Sequence, residues 1–159
     1  MASGGAPSPD EDHARLEKIA QEAIEEARMV LPGIQALFGF QLIAAFNARF
    51  RELSDGEQNM HLTALVLLAV AIALIMAPAA YHRLAEQRDV SKFFVQFASW
   101  MIAGAMVPLM GALSIDVYLV GRVVLGSATG SGVIAAGVLI LLAVLWFGFP
   151  LVMRWRKVR

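Results

Sequence analysis

The sequence predicts an all-α membrane protein, a four-helix antiparallel transmembrane bundle preceded by a cytoplasmic amphipathic helix. Composition is the first reason. Of 159 residues 58% are hydrophobic and 16% charged, with mean hydropathy +0.65, where soluble domains run to about 45–50% apolar and about 25% charged. The second is the run at 62–80, LTALVLLAVAIALIMAPAA, which carries no charge. At about 1.5 Å per residue it crosses a hydrocarbon layer about 30 Å thick. The third is that segments 33–50, 93–115 and 133–153 are similarly apolar and separated by polar connections.

Residues 1–8 are small and rich in Gly, Pro and Ser, too poor in apolar surface to repay ordering, and are expected to be disordered. Ser8, Pro9 and Glu11 read as a helix start with a cap, a first-turn proline and a capping-box acid. Behind them Leu16, Ile19, Ala20, Ala23, Ile24, Ala27, Val30 and Leu31 fall at helical spacing, so 9–31 reads as an amphipathic acidic helix on the cytoplasmic side. Pro32-Gly33 is expected to bend or break it before the first span. With no basic n-region or apolar h-region at the start, the first span is expected to insert the chain.

The first span, 33–50, holds Gln35, Gln41 and Asn47, amides whose hydrogen bonds lipid cannot supply. They should face protein or water, although at about 100° per residue they point in different directions. A polar loop follows at 49–60, with a turn at Ser54-Asp55-Gly56. In the second span Ala69, Ala73 and Ala77 recur every four residues and suit close helix packing, and Pro78 should bend its last turn. The third span starts at Phe93, with a kink expected at Pro108. Residues 116–126, with Asp116 and Arg122, either prolong that helix or form a separate interfacial piece. A loop at 127–132 leads to the fourth span, 133–153, which ends in the basic tail 154–159.

Four spans place both termini on one side. That side would carry ten Lys and Arg and the other only Arg49, Arg51 and Arg122, so the positive-inside rule assigns the termini to the cytoplasm.

The segments EEARMVLPGIQALFGFQLIAAFN and HLTALVLLAVAIALIMAPAAYHR, and more loosely SIDVYLVGRVVLG, resemble an uncharacterised family of small four-span bacterial inner-membrane proteins of unknown function, some members of which are labelled sodium:proton antiporters. The resemblance implies a bacterial plasma-membrane location and brings no binding residue to carry over.

For chemistry, the candidate polar intramembrane residues are Gln35, Gln41, Asn47, Asp116 and Arg122. Interhelical hydrogen bonding is the plain use of such amides. Asp116 and Arg122, six residues apart on one helix, point about 120° away from each other and would pair only through a bend or a second chain. His61 and His82 flank the second span, too far apart to share a metal, and interfacial anchoring is their plain use. The acidic helix and the basic tail point to a cytoplasmic latch between Glu22, Glu25, Glu26 and Arg154, Arg156, Lys157. GSATGSG lacks the Lys-Ser/Thr ending of a phosphate loop. With no cysteine and no nucleophile, metal or paired-carboxylate constellation, no enzyme activity, cofactor or metal is expected. No nucleic-acid binding is expected either, since topology explains the basic tail. The expected partners are the lipid bilayer, further copies of the chain and a small cation or proton. The leading expectation is a homo-oligomeric conduit or carrier for small cations or protons. The alternative is a non-transporting anchor whose cytoplasmic helix recruits a protein.

Overall fold

The computed structural model describes residues 9–85 and 91–157. The N-terminal segment 1–8, most of the connection before Ser91, and Arg159 of the basic tail lie outside them. The described residues form α1 (Pro9–Ala45), a short 3-10 helix (Ala48–Glu52), α2 (Asp55–Ala85), α3 (Lys92–Leu125), α4 (Ala128–Ala143), a π turn (Val144–Gly148) and α5 (Phe149–Lys157). Four stretches are long and apolar enough to cross a membrane: Ala14–Ala45, Asp55–Ala85, Lys92–Leu125 and Ala128–Arg156.

Several boundaries differ from the sequence reading. The amphipathic helix and the first span are one 37-residue helix that runs through Pro32. A proline removes one backbone hydrogen bond and costs about 3 kcal/mol in a helix interior. Against that, α1 keeps one packed stripe past the proline: Ala20, Ile24, Ala27, Leu31, Ile34, Phe38 and Gln41, alternately four and three residues apart, all buried or partly buried. Contacts along the whole stripe outweigh the single missing bond. Residues 116–125 prolong α3, which closes at Gly126, in the left-handed conformation at φ 64°, with its N–H bonded to the Arg122 carbonyl. The expected loop at 127–132 is mostly the first turn of α4, capped by the Ser127 side chain accepting from the Gly130 N–H. Likewise α2 begins at Asp55, inside the segment expected to be a loop.

The buried residues of α2 repeat the pattern of α1: Glu57, His61, Ala64, Leu68, Ala71, Ile75 and Pro78. Alternating steps of three and four keep one side of each helix facing its neighbour, as in knobs-into-holes packing. The central core joins Ile34 to Ala64, Leu68, Ala71, Ile75, Ala105, Leu109 and Ala112. A second core joins Ala20 to Phe94 and Ala98, with Tyr81 stacked on Phe94 at 6.1 Å. α1 therefore runs antiparallel to α2 and parallel to α3. α3 touches all three other spans, whereas α4 packs chiefly on α3. The result is a three-helix core with a fourth helix fastened to one side.

That fastening is tight near the α3–α4 connection. A Cβ added to Gly121 would lie 3.0 Å from the Ser131 Cβ, so any larger residue here would push the two helices apart by a few tenths of an ångström. Farther along, Pro150 has no N–H to offer the carbonyl four residues back. The chain widens just before it, and the Phe149 N–H bonds to the Val144 carbonyl five residues back.

The Ala69, Ala73, Ala77 stripe is not the face by which α2 packs within the chain. Ala69 and Ala73 are exposed and Ala77 half-buried, while Ala64, Leu68, Ala71 and Ile75 occupy the contact.

Candidate functional site

At the end of the bundle that carries the α1–α2 and α3–α4 connections, here the distal end, the core-facing stripes turn polar. α1 places Gln41 there, α2 places Glu57 and His61, and α3 places Asp116, four residues beyond the buried Ala112. Each continues the register of its own packed stripe, so the same periodicity that builds the apolar core delivers these groups to one region.

Gln41 Nε2 lies 2.6 Å from both carboxylate oxygens of Asp116, donating to them from across the bundle. The Gln41 side chain is only 6% exposed, and its Oε1 has no hydrogen-bond partner. The backbone carbonyl of Gln41 is 2.9 Å from His61 Nε2, an arrangement in which that nitrogen carries the proton and donates. His61 also meets the edge of Phe50 at 5.1 Å between ring centroids. Around these groups is a cleft of about 400 Å³ lined by Leu37, Phe40, Asn47, Leu119 and Val120, among others. A carboxylate, a buried amide oxygen without a donor and an imidazole thus share one half-enclosed space. Such a set of oxygens can hold a proton or a hard cation. Among the described residues no three His, Cys, Asp or Glu side chains come together.

A second polar cluster lies beside the first. Arg122 Nε lies 2.5 Å from Glu57 Oε1. Glu57 Oε2 accepts from the Ser54 N–H at 3.0 Å and the Ser54 hydroxyl at 2.8 Å, while Ser54 Oγ faces the Glu57 N–H at 3.4 Å. This is a capping box at the start of α2, with its acid also paired to a guanidinium on α3. Every acceptor of Glu57 is occupied by a donor.

Of the sequence candidates, Gln41 and Asp116 meet directly. Asn47 lines the same cleft just past the end of α1. Gln35 is exposed and makes no hydrogen bond among the described residues. Asp116 and Arg122 do not pair with each other, and each takes a partner on another helix. Among the described residues no latch contact is present: Glu22, Glu25, Glu26, Arg154 and Arg156 are exposed with no ion pair among them, and the Lys157 side chain lies outside the described residues. His82 is at the other end of α2, packed on Phe94 at 5.4 Å. Glu57 was not among the candidates, although Ser54-Asp55-Gly56-Glu57 carries the S-x-x-E signature in plain view.

Four helices long and apolar enough to cross a membrane, with a polar cluster at one end of their seam, mark a helical membrane protein. The chain belongs to the DUF6328 family, a family of unknown function whose model matches residues 9–150. No curated protein and no solved structure matches it.

Proposed function

We propose that this protein binds a proton or a small cation at Asp116 and acts as a carrier for it, in a bacterial inner membrane with both termini in the cytoplasm. One observation carries the reading: a carboxylate in the core-facing register, held by Gln41 beside an amide oxygen that has no donor. Ionisable groups inside spans are costly to keep and commonly mark ion or proton pathways. The ten-to-three distribution of Lys and Arg supports the orientation, which makes the cluster periplasm-facing. Beyond the cluster the seam is filled by Ala64, Leu68, Leu109 and Ala112. A single closed chain therefore binds the ion without conducting it, and passage requires the bundle to open or copies to combine.

The test is uptake into liposomes holding the purified protein and a pH-sensitive dye, under proton, sodium and potassium gradients. Uptake that is lost in Asp116→Asn supports the reading, and absence of uptake under all three gradients overturns it. A second reading, an anchor that recruits a protein through α1, is favoured by Glu17, Glu22, Glu25 and Glu26, which are exposed and unpaired among the described residues.

A further inference from the structure

Gln35 lies at the mid-depth of the spans. Its neighbour Ile34 packs in the central core with Ala71, the midpoint of the uncharged run 62–80. Yet Gln35 is exposed and unbonded among the described residues. Its amide offers two donors and an acceptor, none of which hydrocarbon can satisfy. An exposed amide at that depth calls for a protein partner.

The face around it is continuous. Two turns along α1 from Gln35 lie Arg28 on one side and Leu42 on the other; two turns along α2 from Ala69 lie Leu62 and Met76. Leu42 and Leu62 line one shallow cleft, and Arg28 and Met76 line another. Gln35 and Ala69 therefore sit between them on the same α1–α2 surface. Ala69 and Ala73 are exposed there, and a Cβ added at Gly39 would meet nothing within 4 Å, so another helix can approach closely. Glu25 and Arg28, also exposed, border this surface at the end away from Asp116.

We infer that a second copy of this chain packs in parallel on the α1–α2 face, with Gln35 of each copy hydrogen-bonding Gln35 of the other. An amide is complementary to itself about a two-fold axis, and copies inserted in one orientation meet at equal depth. The inference goes beyond the proposed function, because the cleft at Asp116 opens on the other flank of α1, at Leu37, Phe40 and Ala44.

The chain has no cysteine, so single-cysteine variants report contacts without background. In oxidised membranes Gln35→Cys and Leu42→Cys are expected to give disulfide-linked dimers several-fold above Phe40→Cys and Ala44→Cys. Leu42→Cys keeps the amide and guards against loss of the contact through the substitution itself. Gln35→Leu is expected to lower the dimer fraction by roughly threefold to tenfold. Cross-linking equal at all four positions, stronger at Phe40→Cys, or a monomer mass in lipid nanodiscs overturns the inference.

Discussion

Two carboxylates near the distal end of the bundle are held in opposite ways. Glu57 accepts from both donors of Ser54 and from Arg122, so its cluster is closed. Asp116 receives one amide, and the other end of that amide, Gln41 Oε1, has no donor. Both residues follow the core-facing register of their helices, so position along the seam does not separate them. What separates them is completion. A closed cluster fixes the start of α2 against α3, whereas a cluster with spare acceptors beside a cleft of about 400 Å³ has capacity left for something else.

Substitutions can break or sharpen that contrast. The largest effect is expected from Asp116→Asn, which should cut ion uptake into liposomes by about tenfold or more. Its stability should change little, because the new amide oxygen still accepts from Gln41. Glu57→Ala should act the other way, costing about 1–2 kcal/mol through the lost cap at the start of α2. Equilibrium unfolding in detergent should show that loss, with uptake per folded molecule retained. If Glu57→Ala abolished uptake at full stability, the assignment of roles would be reversed. Gln41→Leu should cost about 1–2 kcal/mol by leaving the Asp116 carboxylate without its donor, and weaken uptake at the same time. Ser54→Ala should be mildest, near 1 kcal/mol, and visible only as lowered stability.

The four membrane-length helices were legible because each is apolar enough over the length that lipid requires, and that signal does not depend on partners. The packing face of α2 was not. In a membrane helix the lipid side and the protein side are both apolar, so Ala69 and Ala73 looked as suitable for internal packing as Ala64 and Ala71. Only the alternation of three and four, followed through His61 and Glu57 into the polar first turn, distinguishes the two faces. Pro32 misled for a related reason: a local rule predicted a break, while the stripe from Ala20 to Gln41 passes it without interruption. The union of Gln41 with Asp116 spans 75 positions and depends on how three helices are arranged, which spacing within one helix cannot reveal. The Ser54–Glu57 box, by contrast, is local and was open to reading.

The widened turn at 144–148 also decides where the basic end points. A five-residue turn holds one residue more than its neighbours can use, so every side chain after it is swung by about 100° relative to an uninterrupted helix. Arg154, Trp155 and Arg156 follow that turn. Removing a single residue from it would swivel this cationic, aromatic patch to another compass bearing in the plane of the lipid, with its own composition untouched.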